Sequence, residues 1–199
     1  MGNQLDPAIL FERRDTTAIL QFNRSETRNP LSSSTLDQLG LLLNQAENDL
    51  ELVTLVLTGS GNIFASGADL REVSRLTSNS AVDFSRQAQK LFNRLTDSRL
   101  LTIAAVNGTC MGGALDLMLS CKRRIASPDA KFGHPGVRLG IITGWGGTQR
   151  MPRLIGRACA LDLMLTARMI AADEALALGL VDELAENTAD RALSYTSVH

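Results

Sequence analysis

Apolar positions along this chain fall into two alternating patterns. Thr17–Phe22 (TAILQF), 52–58 (LVTLVLT) and Leu101–Val106 (LTIAAV) are continuous aliphatic and β-branched runs of strand length. That is the pattern of strands covered on both faces. Residues 35–50 instead repeat Leu36, Leu39, Leu43, Ala46 and Leu50 at helical spacing, with Ser32, Ser33 or Ser34 available as N-cap. Residues 81–97 do the same with Phe84, Ala88, Leu91, Phe92 and Leu95. A short apolar helix is predicted over 114–120 and a short strand over 123–126. A mostly helical stretch is predicted over 145–185, broken at Gly156 and Gly179.

Strands that alternate with helices predict an α/β fold with parallel strands and crossover connections. No repeat or linker divides the chain. A single domain is expected over 1–199, with its core at about 15–185 and a polar end, 187–199, expected to fray.

Composition adds exclusions. The net charge is −1 and the basic residues are scattered, so nucleic acid is not an expected partner. Cys110, Cys121 and Cys159 form no disulfide-like framework and read as reduced thiols, which points to the cytoplasm. No apolar run is long enough to span a bilayer, and the N-terminus lacks the layout of a signal peptide. Met1-Gly2 is not a myristoylation start, because Asp6 stands where Ser or Thr is needed. No metal-ligand spacing stands out.

Two segments carry candidate chemistry. Residues 63–70 (IFASGADL) follow a buried strand and place Ala65, Ser66, Gly67 and Ala68 in succession, where small side chains let a ligand approach the backbone. A simple strand-to-helix turn is the plainer reading. Residues 106–116 (VNGTCMGGALD) also leave a strand and open a helix. The first amides of a helix have no partner within it and suit a developing oxyanion. A phosphate loop is the rival, but no Gly-Lys-Ser/Thr ending follows.

Together the segments resemble the crotonase superfamily (enoyl-CoA hydratase/isomerase). Phe64-Ala65-Ser66-Gly67-Ala68-Asp69 resembles its Phe-x-x-Gly-x-Asp motif, and Asn107, Gly108, Gly112 and Gly113 its Asn-Gly-x-x-x-Gly-Gly motif. Residues 23–29, 140–150 and 175–182 resemble further family segments in the same order. The resemblance implies a spiral of ββα repeats, usually trimeric, here a homotrimer or dimer of trimers. It implies an acyl-CoA substrate, no separate cofactor, and the amides of Ala68 and Gly113 as oxyanion donors. Arg28 is implied to meet a CoA phosphate, though a solvated loop charge is as good a reading. Ala65, Gly67, Asp69, His134, Gly136 and Trp145 are implied to surround the substrate.

The chain departs from the family at its carboxylates. Family hydratases use two glutamates; the matching positions here are Asp116 and Gly136. Asp116, one turn after Gly113, is expected to lean toward the reacting carbons as the catalytic group. Stabilising the first helical turn is its plainer role. His134 could substitute for the missing acid or base, or be a structural histidine. Gly144 lacks the aspartate that dienoyl isomerases and some dehalogenases share there. The family usually continues with further helices after the segment at 175–182, so the C-terminal helical part is expected to be truncated.

The expected activity is therefore enolate stabilisation, as an enoyl-CoA hydratase or isomerase in fatty acid metabolism. The alternatives are an acyl-CoA-binding protein without chemistry, and a hydrolase with Cys110 as nucleophile.

Overall fold

The computed structural model describes residues 7–195. Its strands are β1 (Ile9–Arg14), β2 (Thr17–Phe22), β3 (Pro30–Leu31), β4 (Thr54–Gly59), β5 (Ile63–Ala65), β6 (Gly67–Ala68), β7 (Leu101–Val106), β8 (Thr109–Met111), β9 (Arg123–Ala126), β10 (Lys131–Gly133), β11 (Met169–Ala171) and β12 (Glu183–Leu184). Its helices are α1 (Ser33–Asn48), α2 (Leu70–Val73), α3 (Ser78–Asp97), α4 (Gly113–Met118), α5 (Gly147–Ile155), α6 (Arg157–Thr166), α7 (Ala172–Ala177) and α8 (Thr188–Leu193).

Six strands form one sheet in the order β1-β2-β4-β7-β9-β12, parallel except for the β1–β2 hairpin. Each long parallel strand feeds a short strand in a smaller sheet before the chain returns through a helix. Thus β4 leads to β5, β7 to β8 and β9 to β10, and the smaller sheet has the order β11-β10-β8-β5. This is the expected spiral of ββα turns. A third pair, β3 with β6, brings residues 30–31 beside 67–68.

The helices begin where the sequence supplies caps. Ser32 accepts from the Thr35 amide at 3.2 Å to start α1. Thr77 and Ser80 form a reciprocal capping box that starts α3 at Ser78, three residues before the predicted start. Helix α1 ends at Asn48, so Leu50 leaves the expected inward stripe and is 84% exposed. The stretch 145–185 holds two short strands besides its helices.

The main core lies on one face of the large sheet, where Leu20, Leu55, Leu57 and Ala104 meet Leu39, Leu43, Phe92 and Leu95 of α1 and α3. Ile19, Val56, Ile103 and Ile125 point to the other face and are packed by Ala192 and Leu193 of α8. The polar end expected to fray therefore contributes a helix, capped by Asn187. Tyr195 closes it by donating to Glu183 at 2.9 Å. Residues 1–6 and 196–199 lie outside the described residues, including the Met1-Gly2-Asp6 stretch.

Candidate active site

One pocket of about 770 Å³ opens where β6, α4 and the 134–145 loop meet. That volume falls within the ~300–1,000 Å³ of small-molecule sites. Of the residues singled out in the sequence, Ala68, Gly113, His134, Gly136, Trp145 and Arg28 line it.

Its floor is backbone. Two asparagines hold the loops that make it. Buried Asn29 donates to the carbonyls of Ile63 and Phe64 at 3.0 and 3.2 Å and accepts from the Arg24 amide at 2.7 Å. Asn107 accepts from the Gly59 amide at 2.9 Å and donates to the Gly61 carbonyl at 2.8 Å. These bonds pin the ends of both glycine-rich segments to the sheets.

The direction of the Ala68 amide follows from its neighbour. Pro30 lies opposite Gly67 in the β3–β6 ladder and has no N–H. The ladder is therefore made through the Gly67 N–H and carbonyl, which face β3. In a trans peptide the next N–H points opposite to that carbonyl, and the described chain has no cis peptide. The Ala68 N–H accordingly points away from β3. Gly113 is the first residue of α4, so its amide has no partner within the helix. Gly67 adopts φ +91°, and a Cβ placed on it would lie 2.7 Å from the Gly113 nitrogen. Only glycine permits this approach, and it brings the amides of Ala68 and Gly113 into one neighbourhood.

The opposite wall is made of side chains. Trp145 lies on Gly113, where an added Cβ would meet the indole at 2.3 Å. Phe84 and Phe92 hold the indole at centroid distances of 5.4 and 5.8 Å. His134 follows β10 directly and is 5% exposed, against this wall.

Three expected site residues stand elsewhere. Asp116 is 0% exposed and does not line the pocket. Its Oδ1 lies 3.2 Å from His134 Nε2, and its Oδ2 accepts from the Thr143 hydroxyl. The carboxylate also lies against Gly147, where an added Cβ would be 2.0 Å from Oδ1. The first residue of α5 thus faces it, at the helix end that favours negative charge. Asp116 stands behind His134 and Thr143 and does not reach into the pocket, because those two side chains occupy the space between. Ala65 is sealed in the core by its pairing with Cys110, so it cannot touch a ligand. Gly67 is buried beneath the pocket and acts through its shape alone.

Asp69 lines the pocket, but its carboxylate caps α2, accepting from the Arg71 amide at 2.8 Å and pairing with the Arg71 side chain at 2.7 Å. The hydrogen bond from Arg71 holds Asp69 below the usual carboxylate range. Arg28 is exposed at the rim in a left-handed conformation, φ +68°, and its guanidinium makes no hydrogen bond or ion pair among the described residues. Gly136 is buried in the pocket wall; a Cβ there would lie 2.8 Å from the Ile141 carbonyl oxygen. A side chain at this position would require the loop around Ile141 to shift.

Cys110 is fully buried, and burial, reinforced by the Asp116 charge, pushes its thiol well above the ordinary range. It does not line the pocket, which removes the basis for a Cys110 nucleophile. No cluster that could hold a metal ion occurs among the described residues. Thr143 is the site residue that sequence reasoning missed. It lies in a loop whose glycines drew the attention, and no local pattern marks a threonine as a carboxylate partner.

Comparison with known proteins sharpens this picture. A family model described as enoyl-CoA hydratase/isomerase matches residues 12–194. The chain is 40% identical over 179 residues to a short-chain-enoyl-CoA hydratase of Clostridium acetobutylicum, covering 89% of this chain and 69% of the relative. It is 39% identical to a crotonyl-CoA hydratase of Syntrophomonas wolfei over the same shares. Among solved structures, an enoyl-CoA hydratase from Thermoplasma volcanium superposes with a TM-score of 0.91 at 32% identity, covering 96% of this chain and 77% of the other. Another, from Bacillus anthracis, gives 0.90 at 31% identity over 96% and 76%.

Proposed function

The chain belongs to the enoyl-CoA hydratase/isomerase family, and from that premise we propose that it hydrates or isomerises an enoyl-CoA through a thioester enolate held by the amides of Ala68 and Gly113. The observation that carries this reading is the close approach of Gly67 to the Gly113 nitrogen, beneath a pocket lined largely by apolar side chains. Donors fixed by backbone packing need no rearrangement as charge develops on the carbonyl oxygen. Losing one such donor in other enzymes costs about 3–4 kcal/mol of barrier. Trp145 and Phe84 give the acyl chain an apolar wall, and Arg28 offers an unpaired cation at the rim for a phosphate. Coenzyme A arrives with the substrate, so this chemistry calls for no separate cofactor.

The test is to incubate the chain with short 2-enoyl- and 3-enoyl-CoA thioesters and follow the products. Turnover of at least one is expected; a folded chain that turns over none of them contradicts the reading. One observation favours a second reading, a binding protein without chemistry: Gly136 stands where a carboxylate is expected. That reading predicts thioester affinity with no product.

A homotrimer or dimer of trimers in the cytoplasm goes with the proposal. Leu161, Leu165 and Met169 are exposed along α6 and β11 and offer an apolar face for self-association. Light scattering that shows a monomer contradicts this assembly. No helix among the described residues is long and apolar enough to cross a membrane.

A further inference from the structure

We propose that His134 is the proton carrier of this site and that Asp116 is its positioning residue, so that one imidazole performs the proton transfers assigned by resemblance to two carboxylates. This rests on the reading that an enoyl thioester fills the pocket.

Elimination supports it first. The titratable side chains that line the pocket are Arg28, Asp69, Arg71 and His134. Arginine is no base near neutral pH, and Asp69 is already paired with Arg71. His134 is left as the one group on the wall able both to take and to return a proton.

Geometry supports it second. Asp116 can only accept hydrogen bonds as a carboxylate, so the nitrogen facing it, Nε2, carries the ring proton. Thr143 donates to the other oxygen and fixes the carboxylate from its far side. The remaining nitrogen, Nδ1, makes no hydrogen bond among the described residues. Nor is it one of the sealed atoms lacking a partner, which are Thr17 Oγ1, Ser60 Oγ and Arg124 Nε. Its lone pair is therefore accessible, on a residue whose open side is the pocket. A histidine held by a buried carboxylate on one nitrogen, with the other facing substrate, is the arrangement of a general base. The charged group in contact with His134 is Asp116 on α4, on which the charge of Arg150 on α5 also acts. The Asp69–Arg71 pair lies across the pocket.

The steps balance with a single proton in transit. In hydration, Nδ1 takes a proton from water as the water oxygen bonds to C3. The C2–C3 π pair moves into the thioester, leaving negative charge on the oxygen at the two amides. The imidazolium then gives that proton to C2, the enolate pair forms the new C–H bond, and the base is restored. In isomerisation of a 3-enoyl thioester, the same nitrogen takes a proton from C2 and returns it to C4, and no water is consumed. The charge of Asp116 stabilises the imidazolium between the two steps.

The test measures 2-enoyl-CoA turnover by the full chain, with affinity for a saturated acyl-CoA as the control for an intact pocket. His134→Gln is expected to lower kcat at least ~100-fold, the low end of general acid–base contributions, with affinity kept within ~3-fold. Asp116→Asn is expected to lower kcat less and to move the acid limb of the kcat/KM profile to lower pH, which a merely structural role would not do. Should His134→Gln fail to fold, the unaltered chain supplies the answer. Modification of its imidazole by diethyl pyrocarbonate is expected to abolish turnover, with saturated acyl-CoA protecting it, and a modified chain that keeps full turnover overturns the proposal. An active His134→Gln chain overturns it alone. An unaltered chain that binds the thioester and converts nothing overturns it together with the enolate reading.

Discussion

The two walls of the pocket are built on opposite principles. The floor around Gly67, Ala68 and Gly113 presents peptide amides whose directions follow from a proline, a trans peptide and a helix start. The wall from His134 to Trp145 presents side chains on a loop, and Asp116 orients the histidine and threonine from behind. Substitution can change the second wall one side chain at a time. The first changes only if the backbone moves. On this account the enolate-binding function resides in the floor, while the choice of proton chemistry resides in the wall.

The strongest way to break that contrast is to attack the floor. Gly113→Ala would drive a methyl group to 2.3 Å from the Trp145 ring and displace one donor. We expect kcat to fall ~10²–10³-fold, the loss typical of one oxyanion donor, measured by turnover beside thioester affinity. Retention of full activity would show that the amide is not used.

Next comes the support behind the wall. Gly147→Ala would place its Cβ 2.0 Å from Asp116 Oδ1. Overpacking of this kind costs ~1–3 kcal/mol, so a lower Tm and a loss of turnover should appear together. A comparable change concerns the absent carboxylate. Gly136→Glu forces a Cβ to 2.8 Å from the Ile141 carbonyl. It should destabilise by ~1–3 kcal/mol and leave turnover no higher. A gain in hydration would show that the loop accepts the side chain.

Effects at the rim are smaller. Arg28→Gln should raise KM about fivefold with kcat kept, as befits an exposed phosphate contact of about 1 kcal/mol. The smallest effect is a pH dependence at Asp69. Arg71 lowers its folded-state pKa, so its contribution is present above the unfolded carboxylate value and is lost as pH falls through the lower folded one. The Tm difference between the unaltered chain and Asp69→Asn should hold near pH 7 and shrink below about pH 4.

The same contrast explains what could be read from the sequence. Strands β2 and β7 coincide with their predicted spans because a strand buried on both faces writes itself as a continuous apolar run. The strands of two or three residues, such as β6 and β8, are too short for any periodicity and exist only because they pair. Strand β1 reads ILFERR, with a charged half on the sheet edge, and α8 carries few apolar residues, so neither left a strong pattern. The two segments of the pocket floor stood out because runs of small residues and glycines mark where backbone must bend or approach closely, while Ala68 and Gly113 were singled out by the family resemblance. The position of Asp116 was not legible. Helix geometry alone aimed it at the substrate, but the residues that intercept it lie 18 and 27 positions further on, in a loop.

The most direct test of the central claim is the carbonyl stretch of a bound enoyl-CoA carrying a ¹³C-labelled thioester carbon, observed by difference infrared spectroscopy. Two amides converging on the oxygen should weaken the C=O bond and move the band well below its frequency in water. A band that stays at the aqueous frequency in the bound complex would contradict the account.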